Sequence, residues 1–245
     1  MIQGALAVYY REMLLMRRRS FRLLAGMAVS PLLYFVTFGQ AVGRSAQLDG
    51  LAYSSFLLPG LVAMSSMMQA YSMASEINIS RFYFRIFDEF MASPIGPAAY
   101  VLGEVMAGVT RGLAAAAVIV LMGTLFGVHF QAGALFWLGA GLNAFFFAAL
   151  AVAMAMIVRT HQDQATLTNF IITPMAFLGG TFFPVEKLPG WAAAVVGLLP
   201  LTHASRAIRL ASQDRPVPVE EWGVLVAAGV LCLVLAMYLT RRVQD

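Results

Sequence analysis

GLAAAAVIVLMGTLFGVHFQAGALFWLGAGLNAFFFAALAVAMAMIV, residues 112–158, contains no Asp, Glu, Lys or Arg. So much apolar surface has no water-facing groups to cover it, which excludes a soluble domain. At about 1.5 Å of rise per residue, one helix of this length would be ~70 Å long, roughly twice a bilayer core. The run therefore folds back on itself. The break falls at Gly127-Val128-His129-Phe130-Gln131-Ala132-Gly133, with a glycine at each end and polar groups between. Two consecutive crossings make this an all-α, polytopic membrane protein.

The rest of the chain agrees. It is 60% hydrophobic and 11% charged, with a mean hydropathy of +0.79, whereas a soluble domain is about 25% charged. Its length suits one membrane domain without an attached soluble one. The net charge of +4 does not point to nucleic acid. Arg17, Arg18, Arg19 and Arg22 cluster just before the first apolar run, where they hold that end in the cytoplasm. The lone Cys232 sits in an apolar stretch, can form no internal disulfide, and reads as a core or lipid-facing residue. Polar and basic residues run to Arg22 and the first span is too long, so a cleavable signal is not expected.

Six spans are expected, at residues 23–42, 51–75, 98–126, 133–158, 164–185 and 222–240. Pro31 predicts a kink in the first, and Pro174 with Gly179-Gly180 breaks the fifth. Residues 43–50, with Arg44 and Asp49, form a short loop. Residues 76–97 are a polar connection and 159–163 a tight turn. Between the fifth and sixth spans, residues 188–205 are uncharged. Pro189 and Pro200 confine their helix to 190–199, too short to cross, so a short extracellular re-entrant or interfacial helix is expected. Residues 206–221 then read as exposed loop. Ahead of the first span, Leu6, Tyr9, Tyr10, Met13 and Leu14 recur on one helical face, which predicts an amphipathic interfacial helix over residues 1–22. Residues 23–245 complete a single six-helix domain. Arg11, Arg17–Arg19, Arg22, Arg81, Arg85, Arg159, Arg241 and Arg242 fall on one side. Arg44, Lys187, Arg206, Arg209 and Arg215 fall on the other. The first set is larger and lies close to the span ends, so both termini are expected in the cytoplasm.

Motifs for chemistry are missing. Lys187 is the only lysine and follows no Gly-rich strand–loop, so there is no P-loop to cradle ATP. His129, His161 and His203 are scattered, without H-E-x-x-H spacing or a Cys partner, so no metal site is expected. No serine stands in G-x-S-x-G. The chain is not expected to be an enzyme or to bind a cofactor itself.

Intramembrane charge marks function by default. Glu104 and Arg111 lie inside the third span. Seven apart, they share a helix face but sit ~10 Å apart along the axis, too far for a direct pair. Arg111 can snorkel to the cytoplasmic surface or pair with Glu76 on the neighbouring helix; either role is structural. Ion-driven carriers need carboxylates at mid-depth and internal repeats, and neither is found. Gly108-x-x-x-Gly112, with Gly103, is of the type that lets helices pack closely. Met64, Met67, Met68 and Tyr71 form a flexible apolar stripe, read either as core or as lining for a greasy substrate.

Arg81-Phe-Tyr-Phe-Arg-Ile-Phe-Asp-Glu-Phe-Met-Ala-Ser-Pro-Ile95 is an amphipathic segment with a Ser-Pro stop. On one continuous helix Phe82, Ile86 and Phe90 would share a face, and an exposed apolar ridge needs a partner. This loop resembles the coupling helix of ABC-2 type exporter permeases. Tyr53-Ser-Ser-Phe-Leu-Leu-Pro-Gly-Leu-Val62, Pro174-Met-Ala-Phe-Leu-Gly-Gly-Thr-Phe-Phe-Pro184 and Leu199-Pro-Leu-Thr-His-Ala-Ser-Arg-Ala-Ile-Arg209 resemble that family in the same order. The resemblance is to the half-size permeases of drug, polysaccharide and lipo-oligosaccharide export.

The resemblance implies two copies of the chain with two ATP-binding cassette subunits in a bacterial inner membrane. ATP and Mg would sit in those partners. It implies ATPase coupling through Phe82, Arg85, Ile86, Phe87, Asp88, Glu89 and Phe90. A dimer seam is expected from spans one, two and five. Candidate substrate-pathway residues are Tyr34, Phe38, Met64, Met67, Met68, Tyr71, Asn169 and Thr173. The implied substrates are lipids, drugs or lipid-linked glycans. A secondary carrier, a membrane-embedded enzyme and a non-transporting scaffold are the rival readings.

Overall fold

The computed structural model describes residues 1–42, 47–48, 51–84 and 86–242. The expected loop at 43–50 lies mostly outside the described residues. The chain opens with α1 (Ile2–Arg18) and α2 (Ser20–Tyr34), and α2 widens into π-helix over Phe35–Val42. A two-residue antiparallel ladder, β1 (Gln47–Leu48) with β2 (Leu51–Ala52), leads into α3 (Tyr53–Tyr71). Then come α4 (Met73–Phe82), α5 (Ile86–Ala92), α6 (Pro97–Leu125) and α7 (Ala134–Ile157). α8 (His161–Leu167) continues through a π stretch, Thr168–Ile172, into α9 (Thr173–Leu178). A 3-10 turn at Val185–Lys187 precedes α10 (Gly190–Gly197), α11 (Pro200–Ser212) and α12 (Val219–Arg242).

Among the described residues the fold is helical apart from the short ladder. Four segments are long and apolar enough to cross a membrane: Ser20–Gly39, Pro97–Leu125, Ala134–Ile157 and Val219–Arg242.

The uncharged run does fold back where its glycines lie. Pro97 starts α6 at a position that needs no N–H. Gly127 ends it with φ +71°, a conformation costly for other residues. Val128 N–H then reaches the Gly123 carbonyl at 2.9 Å, and Gly127 N–H the Thr124 carbonyl at 3.1 Å. This is the Schellman arrangement, which satisfies carbonyls that would otherwise face lipid unpaired.

α6 and α7 return antiparallel along a seam of small residues. A Cβ on Gly108 would lie 2.6 Å from Ala148 Cβ, and one on Gly112 2.6 Å from Ala144 Cβ. The same Gly112 position is 2.9 Å from the Ser66 carbonyl of α3. Asn143 fastens that crossing by donating Nδ2 to the Ala63 carbonyl (2.9 Å) and to Ser66 Oγ (2.7 Å). α3 is therefore the central helix. Leu57, Leu61, Val62 and Met67 are all at most 1% exposed.

Several sequence expectations are revised. The second apolar run ends as helix α3 at Tyr71, where the Ser72 hydroxyl turns back to the Gln69 carbonyl at 2.7 Å. Residues 73–82 form α4 rather than loop. The fifth run stops at Leu178 and turns at Gly180, φ +78°. Its π stretch lies just before Pro174, which lacks the N–H that Phe170's carbonyl would use. Residues 206–212 belong to α11, whose Leu201, Ala204, Ser205, Ile208 and Ala211 are buried. α1 docks on α6 through Ala5 and Val8, with Val8 seated at Gly103. Leu6, Tyr10 and Leu14 face outward, while Tyr9 and Met13 pack against the core.

α1 packs on the start of α6, and α12 runs alongside α7 so that its end falls beside α7's end. α1 and the close of α12 thus lie at one end of the bundle, the terminal end.

The seam sets a stability test. Gly112→Val should cost about 1–3 kcal/mol by overpacking, read as a lower melting temperature in detergent. Gly133→Ala, where an added Cβ meets nothing within 4 Å, should leave it unchanged.

Candidate functional site

The terminal end holds the most organised surface. α4 is tied to the end of α7 there. Asn78 donates Nδ2 to the Val158 carbonyl at 2.8 Å, and Arg81 donates Nη1 to the Ala155 and Met156 carbonyls at 3.2 and 2.9 Å. The last carbonyls of a helix lack partners and carry partial negative charge, so an amide and a cation suit them. The Arg81 guanidinium also covers the Phe82 ring at 4.6 Å and the Phe87 ring at 5.5 Å.

This tie leaves three consecutive aromatics facing out. Phe82, Tyr83 and Phe84 are 42%, 81% and 61% exposed. With Asn78, Ile79 and His161 they line an open cavity of about 400 Å³. α5 turns the other way. Phe87 is buried edge-on to Tyr100, with centroids 5.3 Å apart, and Phe90 packs on the same ring at 5.4 Å. Arg11 of α1 lies over Phe90 at 5.1 Å.

Phe82, Ile86 and Phe90 therefore do not share a face. α4 ends at Phe82 and a new helix starts at Ile86, so the 3.6-residue register does not run through. Ile86 is half-buried and Glu89 exposed. Arg85 and the Asp88 side chain lie outside what the structure describes. The outward ridge is Phe82–Tyr83–Phe84; Tyr83 and Phe84 were missed because a continuous helix was assumed.

Behind the ridge, charges from α1, α4 and α6 meet. Arg111 donates Nη1 to Glu76 Oε1 at 2.6 Å and Nε to Gln69 Oε1 at 3.4 Å. Of the two roles open to Arg111, the structure takes the pair with Glu76. Glu104 is buried and shares a cavity of about 270 Å³ with Arg11, Glu12, Arg19, Glu76 and Ser80. Arg11 pairs with Glu12 at 2.7 Å. Burial pushes the Glu12 carboxyl above its ordinary range, while Arg11 pulls it back and Glu76 pushes it further up. Tyr9 and Thr110 hydroxyls bond at 3.2 Å. The Tyr9–Thr110 bond adds to the packing of Val8 in holding α1 to α6.

The candidate pathway residues separate into groups. Met64, Met67 and Tyr71 are buried in the core, Met68 is half-buried, and Gln164 donates Nε2 to the Tyr71 hydroxyl at 3.0 Å. Within one chain the methionine stripe is core. Tyr34 and Phe38 lie at the opposite end in an aromatic cluster, with Phe182 5.4 and 5.1 Å away and Phe177 stacked on Phe182 at 5.3 Å. Asn169 is exposed and Thr173 half-buried along the π segment. No three His, Cys, Asp or Glu side chains among the described residues form a metal-sized group.

The sequence pattern of the family described as ABC-2 type transporter matches residues 4–211. The chain is 28% identical over 218 residues to the inner membrane transport permease YadH of Escherichia coli (strain K12), covering 86% of this chain and 84% of that one. It is 27% identical over 235 residues to nodulation protein J of Sinorhizobium fredii, covering 95% and 88%. Nodulation protein J of Rhizobium meliloti is 28% identical over 207 residues, covering 83% and 79%.

The Arg111–Glu76 pair sets the next test. Glu76→Ala strands a guanidinium whose side chain is 8% exposed. It should cost about 1 kcal/mol, the low end for a charged partner, because half of Glu76 faces solvent. Replacing both residues with Met should recover most of that loss. Melting of Glu76→Met, Arg111→Met and the double variant measures the coupling.

Proposed function

Because the chain belongs to the ABC-2 type transporter family, we propose that it is the membrane-spanning permease of an ATP-driven exporter. Two copies form the pathway, and two separate ATP-binding cassette subunits hold ATP and Mg. The observation that carries this reading is the exposed Phe82–Tyr83–Phe84 ridge, rigidly held by Arg81 and Asn78 on the end of α7. An apolar surface this exposed at a helix-bundle end calls for a protein partner. A chain whose one lysine, Lys187, stands outside any P-loop needs an external source of ATP energy.

On this reading six segments cross the inner membrane: 20–42, 53–82, 97–125, 134–157, 161–178 and 219–242. α3 and α8–α9 complete the four long apolar helices, because protein or a second copy, rather than lipid, covers them. The Lys/Arg distribution puts both termini and the ridge in the cytoplasm. ATP binding closes the two ATPases, pushes on the ridge and on α5, and tilts α4 with α7. The exposed apolar residues of α2 and of the π segment, Leu33, Phe170 and Ile171 among them, supply the seam between copies. The substrate is a lipid, an amphipathic drug or a lipid-linked glycan, passing along Tyr34, Phe38, Asn169 and Thr173.

Two outcomes test this. Replacing Tyr83 by Asp together with Phe84 by Ala should leave the permease inserted and its melting unchanged, yet abolish co-purification of the ATPase and ATP-dependent flux in proteoliposomes. Retained flux would remove the ridge as the coupling surface. Phe90→Ala should instead lower stability, by less than the ~3 kcal/mol of a fully buried aromatic because Phe90 is only half-buried, through its packing on Tyr100.

Topology is tested separately. In a Cys232→Ser background, a cysteine at Asp214 should react with an impermeant reagent in intact cells, and one at Ser93 should not. The reverse pattern would overturn the orientation. Ser212, although in the same region, is buried and would give no signal in either orientation.

A further inference from the structure

At the end opposite the terminal one, α10 is held by very little. Only Val196 of its eight residues is buried, while Trp191 and Val195 are 77% and 60% exposed and Leu198, just after the helix, is 81% exposed. Two side chains of α11 reach its final carbonyls. Thr202 donates its hydroxyl to the Val196 carbonyl at 2.7 Å. His203 places Nε2 2.9 Å from the Gly197 carbonyl. On its other side, His203 Nδ1 is 2.5 Å from Glu221 Oε2, in the first turn of α12.

Both atoms facing the imidazole are oxygens. A carbonyl can only accept, and an ionised carboxylate can only accept. A neutral imidazole has one N–H and satisfies one of them. Both contacts form together when the ring carries two protons, or when Glu221 holds one and donates it to Nδ1. Whichever atom holds it, the pair carries one proton more than a neutral ring facing a carboxylate. A cation at the C-terminal end of α10 also suits that helix's dipole.

We propose that His203 and Glu221 form a proton-dependent clasp that holds α10 closed over the end of the bundle, by joining α10, α11 and α12 through one shared proton. Loss of the proton leaves one N–H, which stays on Nδ1 because the Glu221 carboxylate is a stronger acceptor than a backbone carbonyl; the Nε2 lone pair then faces the Gly197 carbonyl, and of the two side-chain bonds to the end of α10 only that of Thr202 remains. The sign follows from the chemistry. The clasp is complete at low pH and is lost as pH rises through the titration of the pair.

Charged and titratable neighbours on the packed elements are Glu186 and Lys187 of the 3-10 turn, Arg206 and Arg209 of α11, Glu220 beside Glu221, and Tyr53 of α3. Arg206 donates to Glu186 at 3.0 Å and stands 3.7 Å from Glu221 Oε1. α7, α9 and α10 contribute no titratable side chain there. The His203 ring is 17% exposed, so protons reach it from the aqueous side without opening the core. The clasp requires neither transport nor an ATPase.

A spin label at Val195→Cys in a Cys232→Ser background, with the full chain in lipid nanodiscs, reads α10 directly. From about pH 5 to about pH 9 the mobile fraction should rise by about twofold or more. His203→Gln cannot titrate, and Glu221→Gln cannot carry the ionised acceptor. Each should give a mobility independent of pH. Glu221→Gln keeps the size and polarity of the native residue and serves alone if His203→Gln does not fold. A wild-type lineshape constant across this range overturns the clasp. So does a transition that persists in Glu221→Gln. Orientation in the membrane does not affect the readout, since both faces of a nanodisc see the same buffer.

Discussion

Three helix backbones meet at Gly112, and the rest of the bundle is arranged around that meeting. Within lipid the hydrophobic effect does not drive one helix onto another; close packing and hydrogen bonds do. The absence of a side chain at Gly108 and Gly112 brings α7 to Ala144 and Ala148 and brings the Ser66 carbonyl of α3 to the same point. Asn143 makes the junction specific, because its amide is fully buried and finds both Ala63 and Ser66 there. A helix register shifted by one residue would strand that amide in an apolar surround, at the cost of an unpaired buried polar group. The small-residue seam supplies proximity, and the asparagine fixes the register.

Placing α3 at the centre explains its composition. Hydropathy measures how well a segment suits lipid, and a helix enclosed by α6, α7 and α11 does not face lipid along most of its length. It can hold Ser65, Ser66 and Gln69, whereas the peripheral α12 keeps its charges to its two end turns. That is why α3 reads less strongly as a crossing than α6, α7 or α12, even though it is the most buried helix. α8–α9 departs from the same template for a different reason. Pro174 removes one N–H, the helix widens ahead of it, and the segment becomes short and irregular.

The same distinction separates what the sequence discloses from what it hides. The α6–α7 hairpin was legible because its signals are local: an uncharged run, a glycine at the turn, and a Gly-x-x-x-Gly pair. The partner of Arg111 was narrowed to two possibilities, since a buried guanidinium needs a carboxylate or the surface, and Glu76 was near enough to name. Charge misled at α11. Arg206 and Arg209 suggested loop, although Leu201, Ala204, Ser205, Ile208 and Ala211 carry a helical period that outweighs two cations on the other face. Arg209 is accommodated because its guanidinium stacks 3.8 Å over Phe56 and donates to the Gly180 carbonyl at 2.7 Å. Distant partners of this kind leave no mark in a local window. The outward ridge was misassigned by one assumption, that Arg81 to Ile95 is a single helix. Because α4 ends at Phe82 and α5 starts anew at Ile86, Phe87 and Phe90 turn onto Tyr100 and Phe82, Tyr83 and Phe84 are exposed.

The two ends of the bundle differ in how their helices are held, and the difference bears on any motion. At the terminal end, α4 binds the carbonyls of α7, α5 packs on α6, and α1 is fixed to α6 by Val8 and by the Tyr9–Thr110 hydroxyl bond. A force applied to the Phe82–Phe84 ridge therefore reaches α7 through Arg81 and Asn78 rather than being absorbed in a loop. At the other end, α10 rests on two capping contacts, and the aromatic cluster of Tyr34, Phe38, Phe177 and Phe182 bridges segments that each contain a π stretch. Rings that meet edge-on or stacked tolerate small rotations better than a seam in which Cβ atoms have no room. A rigid end where the proposed partner pushes and a loosely capped end where the proposed cargo leaves would let a small displacement at the first open the second, with Gly112 as the fixed point between them.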